Sequence, residues 1–159
     1  MDRIDEIDAK ILRLLQAKGR MKRNRIAEEV GLSVPSVSER MRKLEERGII
    51  TGYHAIVNAK RMHIDITAFI RVMVENSDDY PQFVEKASKL EEVLEVHSVT
   101  GDGSHILKVR TKNTTTLEQL LANLQSWPSV HGTSTSIVLS TYKETRSLEI
   151  SPTTIYNAN

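Results

Sequence analysis

The chain has 159 residues, enough for one ordinary domain or two small ones, with 39% hydrophobic residues, 27% charged residues and a net charge of +1. It has no cysteine and no run of about 18 apolar residues, which excludes disulfides, thiolate metal sites, a cysteine nucleophile and a typical transmembrane helix. The first 58 residues carry a net charge of +3 and the remainder −2. Because the N-terminus also lacks the basic start and apolar stretch of a secretory signal, we expect an intracellular, cytoplasmic protein.

Three helices are predicted within residues 1–48. The first is capped by Asp5 and stopped by Gly19. The second covers Arg23–Val30 and ends at Gly31, and the third covers Ser33–Glu46 with Ser33 as its cap. Each has one apolar stripe at helical spacing, formed by Ile4, Ile7, Ile11, Leu14 and Leu15, by Ile26, Ala27 and Val30, and by Val37, Met41 and Leu44.

A short helix, a glycine-containing turn and a longer helix form the core of a helix-turn-helix. A recognition helix needs one apolar face as an anchor and one polar face to enter the major groove. The polar face of the third helix consists of Ser36, Ser38, Glu39, Arg40, Arg42 and Lys43. Periodicity alone leaves a second interpretation open, in which three amphipathic helices form an ordinary bundle with a solvated outer face.

The second half of the chain predicts a ferredoxin-like domain, so the fold class is α+β. A linking strand and hinge fill residues 49–62, with the strand at Ile49–Asn58. The βαββαβ order that follows within residues 63–142 consists of strand Asp65–Glu75, helix Tyr80–Leu90, strand Val93–Thr100, strand His105–Thr111, helix Thr115–Ser126 and strand Gly132–Tyr142.

The first strand of that domain is apolar on both faces, since Phe69 and Met73 alternate with Ile66, Ala68, Ile70, Val72 and Val74. Helices cover one face only in this arrangement, so we expect the sheet of another subunit to cover the second face. The C-terminal tail, residues 143–159, is polar. It is either loose or a strand that docks on a partner.

A long ordered motif marks the N-terminal half. It consists of Ile4, Asp5, Asp8, Ile11, Leu12, Leu15, Gly19, Arg20, Ile26, Ala27, Val30, Gly31, Leu32, Ser33, Val37, Arg40, Met41, Leu44, Glu45, Gly48, Ile49, Ile50 and Tyr53. With the domain that follows, residues 3–142 resemble the Lrp/AsnC (feast/famine) family of transcriptional regulators. One departure is Lys22, where the family usually has a serine that caps the second helix.

The resemblance implies a homodimer on double-stranded DNA, with two recognition helices in successive major grooves and assembly into a tetramer or octamer. The strand at Ile49–Asn58 would pair with its twin. By the family pattern, the DNA contacts are Ser33, Ser36, Ser38, Arg40 and Lys43, with Arg42 and Arg20 on the DNA backbone. Glu39 either accepts a hydrogen bond from cytosine or pairs with Arg42 or Lys43 on the helix surface.

Relatives in this family often bind an amino-acid effector at the turn between the second and third strands of the effector domain. There the family pattern is Gly-Asp-aromatic-Asp, and this chain keeps Gly101 and Asp102 but has Gly103 and Ser104 in the last two positions. Either Asp102 takes the ammonium group, with Ser104, His105, Thr133 and Thr135 completing the site, or the segment is a tight turn without a ligand.

Two other functions stay open at this point. Sirohaem decarboxylases share the two-domain architecture and would use His97 or His105, but none of the five histidines shows a metal-ligand spacing and no nucleophile motif is present. We therefore predict no enzyme, no cofactor and no metal. The third possibility is an architectural DNA-binding protein without an effector.

Overall fold

The computed structural model of the chain describes residues 3–154. Its contacts divide it into two units, one formed by residues up to Ile56 together with those from Lys143 onward, and the other by Val57–Tyr142. The change of unit thus falls inside the predicted linking segment. The C-terminal segment belongs with the N-terminal helices. None of the helices in the described part of the chain is long and apolar enough to span a membrane.

The first unit begins with a two-residue strand, β1 (Arg3–Ile4), followed by α1 (Glu6–Ala17), α2 (Arg23–Val30) and α3 (Val34–Glu46). The helix-turn-helix is confirmed together with its local signals. Asp5 and Asp8 form the predicted capping box on α1, and Ser33 caps α3. Gly31 ends α2 with a left-handed φ of 70°, which explains why glycine stands there.

The second unit is the predicted ferredoxin-like domain. Its elements are β2 (Ile66–Val74), α4 (Tyr80–Ser88), β3 (Val93–Ser98), β4 (His105–Thr111), α5 (Thr114–Gln125) and β5 (Val130–Ile137). The four strands form an antiparallel sheet in the order β3-β4-β2-β5. The helix-facing side of the sheet is the core, where Ile70 and Val72 of β2 contact a cluster that includes Phe83 and Leu124.

The two faces of β2 differ as the alternation predicted. Ala68, Ile70 and Val72 are fully buried, whereas Phe69 and Met73 on the other face keep 38% and 40% of their surface exposed. Within residues 3–154, the second face of the sheet therefore carries two exposed apolar side chains on its central strand β2.

The structure corrects two strand predictions. The segment 51–58 forms neither helix nor strand in the single chain. A strand requires a hydrogen-bonded neighbour, and the neighbour that the sequence predicted is a second subunit. The last strand of the sheet ends at Ile137 rather than Tyr142, because its partner β2 begins at Ile66 and the final backbone bond joins Val138 to Thr67.

The C-terminal segment contains a strand that the sequence did not localise. β6 (Thr153–Thr154) pairs antiparallel with β1, with Thr153 opposite Ile4. The loose-tail alternative is therefore wrong for this part of the segment. The strand pairs within its own chain, whereas the other alternative was docking on a partner, which stays a prediction.

Candidate DNA interface and effector turn

Helix α3 is fixed by one face and open on the other. Val37, Met41 and Leu44 are at most 5% exposed within the helical core. The opposite side carries the polar residues predicted for DNA contact, of which Ser33, Ser36, Glu39, Arg42 and Lys43 are exposed while Ser38 and Arg40 are half-buried. This division is the one that a recognition helix requires.

The N-terminus of α3 is organised by two serines. The Ser33 hydroxyl accepts a hydrogen bond from the Ser36 amide at 3.3 Å, and the two hydroxyl oxygens lie 2.8 Å apart. Both side chains are exposed. The positive end of the helix dipole adds to their fitness for a phosphate group.

Arg40 points toward the start of α1. Its Nη1 lies 2.7 Å from both the Asp5 and Asp8 carboxylates, and Asp8 is buried. The hydrogen bonds that Arg40 donates to the Asp8 carboxylate and then to the Asp5 carboxylate raise the pKa of Arg40. Partial burial acts to raise the pKa of Asp5, but the Asp8 amide and Arg40 hold it below its usual value. This arginine joins the recognition helix to the N-terminus of α1. The sequence did not reveal this pairing because the partners lie 35 and 32 positions away.

Arg42 lies between two carboxylates on the exposed surface of α3. It contacts Glu39 at 2.6 Å and also Glu46, and Lys43 lies 3.7 Å from Glu39. The hydrogen bond from Arg42 lowers the pKa of Glu39. Glu39 was expected either to accept from cytosine or to pair on the helix surface, and in the structure it pairs with Arg42 and Lys43.

A second group of cations surrounds the α1–α2 turn. Lys18, Arg20, Lys22 and Arg23 are all exposed, and within residues 3–154 no carboxylate forms an ion pair with any of them. We call residues 18–23 the basic turn. Lys22 occupies the N-cap of α2 without a side-chain cap, as its departure from the family pattern suggested.

The Gly101–His105 turn packs closely on β2. Gly103 has a φ of +101°, and a Cβ at this position would lie 3.2 Å from the Val72 carbonyl oxygen. The glycine in the place of the family's aromatic residue is therefore required by this turn.

Ser104 and His105 face inward from the turn. The Ser104 hydroxyl accepts the Val74 N–H at 3.0 Å and donates to the Val72 carbonyl at 3.2 Å. His105 is fully buried, with Nδ1 2.9 Å from the Ser104 Oγ. The His105 ring centroid lies 4.8 Å from those of Tyr80 and of Phe83. Burial lowers the pKa of His105.

The predicted effector residues thus fall into separate places. Thr133 and Thr135 lie opposite Val72 and Ile70 on the helix-facing side, where the Thr133 hydroxyl accepts a 2.7 Å bond from Gln125. Gly101 and Asp102 are exposed at the turn.

Arg71 is a residue at this turn that the sequence analysis missed. It projects from the opposite, open face of β2, and its Nη1 donates to the Asp102 carbonyl at 3.4 Å. The available signal was a charged residue between Phe69 and Met73 in an otherwise apolar stripe.

Comparison with known proteins assigns both halves. Residues 4–51 match the winged helix-turn-helix DNA-binding family, and residues 67–148 match the Lrp/AsnC ligand binding domain. HTH-type transcriptional regulator FL11 of Pyrococcus abyssi is 39% identical over 147 residues, covering 92% of this chain and 97% of the relative. The leucine-responsive regulatory protein of Escherichia coli K12 is 34% identical over 150 residues, with 92% of each chain covered.

A solved structure extends the similarity to the whole fold. The complex of a Neisseria meningitidis transcriptional regulator with L-Met superposes with a TM-score of 0.86 and 31% identity, covering 91% of this chain and 95% of that one. The sequence motif, the helix-turn-helix, the ferredoxin-like domain and these matches agree. This chain belongs to the Lrp/AsnC family of DNA-binding transcriptional regulators.

Proposed function

We propose that this regulator contacts operator DNA with the outer face of α3 and with the basic turn, in the cytoplasm and without a catalytic step. The observation that carries the proposal is the placement of α3, whose three buried apolar residues leave an exposed face that carries Ser33, Ser36, Arg42 and Lys43. The named relatives are transcriptional regulators, which favours this function over the decarboxylase alternative.

The polar face divides into different roles in this proposal. Ser33, Ser36 and Ser38 reach phosphates or base edges near the start of α3. When DNA binds, Arg42 and Lys43 leave Glu39 and pair with DNA phosphates, because an exposed ion pair contributes only about 0–1 kcal/mol to the stability of the protein. Arg20 contributes to the backbone contacts from the basic turn. Arg40 acts chiefly as an anchor, since two carboxylates already hold its guanidinium.

The salt dependence of binding tests the DNA contacts. An operator is selected from genomic fragments, and its affinity is measured by fluorescence anisotropy over a salt series. We expect Arg20→Ala and Lys43→Ala each to reduce the slope of log affinity against log salt by about one. Lys112→Ala, an exposed change in the other unit, is the control. Wild-type affinity and slope in the Arg20→Ala/Lys43→Ala double variant contradict the assignment.

Assembly follows from the uncovered face of the sheet. Phe69 and Met73 are apolar and exposed there, and a second copy of the chain would bury them. We propose a dimer that assembles further into a tetramer or octamer. Two recognition helices related by a twofold axis then predict pseudo-palindromic half-sites about one helical turn apart.

We also propose that the Gly101–Asp102 turn binds an amino-acid effector through two opposite charges. The exposed Asp102 carboxylate suits the ammonium group, and the Arg71 guanidinium, which already reaches this turn, suits the carboxylate. The L-Met complex of the structurally similar regulator supports an amino acid as ligand. Ser104, His105, Thr133 and Thr135 support the site from beneath rather than touching the ligand.

Calorimetry against all twenty amino acids tests the effector proposal. For any amino acid that binds, we expect Asp102→Asn and Arg71→Gln each to weaken binding about tenfold or more, because each removes a charged hydrogen-bond partner. Asp78→Asn, an exposed acid elsewhere in the same unit, is the matched control. Absence of heat for all twenty, together with metabolite-insensitive DNA binding, supports the architectural alternative instead.

A further inference from the structure

The C-terminal segment is fastened along helix α1. The side-chain amide of Gln16 forms a reciprocal pair with the Leu148 backbone, accepting from its N–H at 2.7 Å and donating to its carbonyl at 2.9 Å. Two residues further on, the Ile150 carbonyl accepts a 2.7 Å bond from Arg13. The strand pair β1–β6 then continues the attachment to Thr154.

These contacts recognise main-chain groups and one apolar side chain. Ile150 is half-buried against the core of the helical unit. Main-chain hydrogen bonds combined with an apolar anchor are the means by which proteins capture extended peptides as an added strand. The segment 148–154 therefore occupies a built docking surface formed by α1 and β1.

This docking surface adjoins the anchor of the recognition helix. Ile4 of β1 is 4% exposed and lies opposite Thr153 of β6. The next residue, Asp5, caps α1 and binds Arg40 of α3 at 2.7 Å. A continuous series of contacts thus runs from the C-terminal segment through β1 to the recognition helix.

We propose that the docked segment 148–154 is a positioning element for DNA recognition, which holds β1 and Asp5 so that Arg40 fixes α3 in its DNA-competent placement. The inference rests on the proposed DNA contacts of α3. Since coupling between two binding events is reciprocal, operator DNA must strengthen docking of the segment by the factor by which docking strengthens DNA binding.

The variant Gln16→Ala/Ile150→Ser removes the backbone clamp and the apolar anchor without changing any charge. Gln119→Ala, an exposed glutamine on α5, is the control. We expect faster hydrogen exchange at the Leu148 amide and operator binding weakened about fivefold or more, the lower end of typical coupling. The salt slope stays at the wild-type value because no phosphate contact is lost.

Reciprocal coupling predicts that DNA binding changes the hydrogen exchange of the docked segment, which a purely structural role of the segment does not predict. In the wild-type protein, operator DNA slows exchange at the Leu148 amide, whereas an equal amount of nonspecific DNA at high salt does not. A chain ending at Tyr142 loses affinity, and a synthetic peptide of residues 143–159 restores it while a scrambled peptide does not.

Failure of the positioning role and failure of the proposed DNA contacts give different results. Rapid exchange at Leu148 with wild-type operator affinity overturns the positioning role. An unchanged Leu148 exchange rate on DNA binding overturns it as well. Absence of operator binding in the wild-type protein, or wild-type binding by Arg20→Ala/Lys43→Ala, contradicts the proposed DNA contacts instead.

Discussion

Two arginines of the same helix, two positions apart, have different surroundings. Arg40 is half-buried and bound to two carboxylates of another element, one of them 7% exposed. Arg42 is exposed, and its ion-pair partners among the described residues are carboxylates of its own helix. A phosphate can displace surface partners at little cost, but removing the partner of a partly buried carboxylate leaves that charge poorly solvated. Identical side chains therefore carry different consequences for stability and for binding.

Replacing Arg40 by alanine tests this contrast. We expect the helical unit to lose about 1–2 kcal/mol of stability, between the values typical of exposed and buried ion pairs, in thermal unfolding followed by calorimetry. Operator affinity falls with an unchanged salt slope, because α3 is displaced and no phosphate contact is removed. Arg42→Ala gives the opposite result, with a reduced slope and little loss of stability. A slope reduced by about one in Arg40→Ala supports the original prediction of a direct DNA contact instead.

His105 is a second residue whose surroundings determine its behaviour. Burial between Tyr80 and Phe83 lowers its pKa below 6.5, so the folded state favours the neutral ring. Well above pH 6.5 the ring is neutral in both the folded and unfolded states. As the pH falls below 6.5, the unfolded state takes up the proton first, and the free energy of unfolding decreases.

The variant His105→Phe should remove this part of the pH dependence. Trp127, the single tryptophan, packs against Phe83 and reports unfolding of the domain by its fluorescence in urea. We expect the wild-type midpoint to fall between pH 7.5 and pH 5, and the variant midpoint to fall less. His131→Phe, at an exposed position, retains the wild-type dependence. Parallel curves for wild type and His105→Phe refute the assignment to this residue.

At the scale of elements, the helices were predicted more accurately than the strands. The limits of α1, α2 and α3 follow from neighbours in the sequence, such as the Asp5 and Ser33 caps and the left-handed Gly31. A strand ends where its partner ends, so the limit of β5 depends on β2, about sixty residues earlier.

Prediction of the sites was also limited by contacts between residues that are distant in the sequence. The polar face of α3 could be listed from periodicity. The Arg40 partners and the Gln16–Leu148 pair could not, because the paired residues are distant in the sequence, by 132 positions for Gln16 and Leu148. At the proposed effector turn, the resemblance to the family pattern pointed to Gly101 and Asp102, which the structure places on the exposed side of the turn. The family pattern could not show that Ser104 and His105 point inward, since a shift of one residue in the turn would place each side chain on the other face.

The turn between β3 and β4 depends on the positive φ of Gly103. We expect Gly103→Ala to destabilise the effector domain by about 1–3 kcal/mol, because alanine must adopt a φ of +101° and its Cβ would crowd the Val72 carbonyl. The measurement is urea unfolding followed by Trp127 fluorescence. Gly19→Ala is the control, since its φ is not positive and its nearest neighbour is 3.9 Å away. Equal midpoints for the two variants contradict this account of the turn.

The open face of the sheet is the surface through which we propose that subunits associate. Phe69 and Met73 present apolar surface on the same strand that carries Arg71, near the proposed effector turn. Burying such a surface against a second copy stabilises assembly and places the effector turn near a subunit boundary. The two proposals together predict that ligand binding and assembly are coupled through β2.

Placing a charge on this face should disrupt the oligomer. We expect Phe69→Glu to weaken subunit association roughly tenfold or more, because a central aromatic contact is lost and a carboxylate is desolvated. Sedimentation velocity over a concentration series measures the change. Gln119→Glu introduces the same charge on an exposed helix and leaves the assembly intact. An unchanged distribution of species in Phe69→Glu excludes this face as the interface.

The pairing of β1 with β6 also bears on the order in which the protein folds during synthesis. Residues 57–142 contain all four strands of the central sheet and both of its helices, and they leave the ribosome before residues 148–154. The helices of the first unit emerge before this domain, yet β6, which pairs with β1, emerges after it, so the β1–β6 contacts close a loop that contains the whole second unit. During synthesis the helical unit therefore lacks its β1–β6 pair until residues 57–142 have been made.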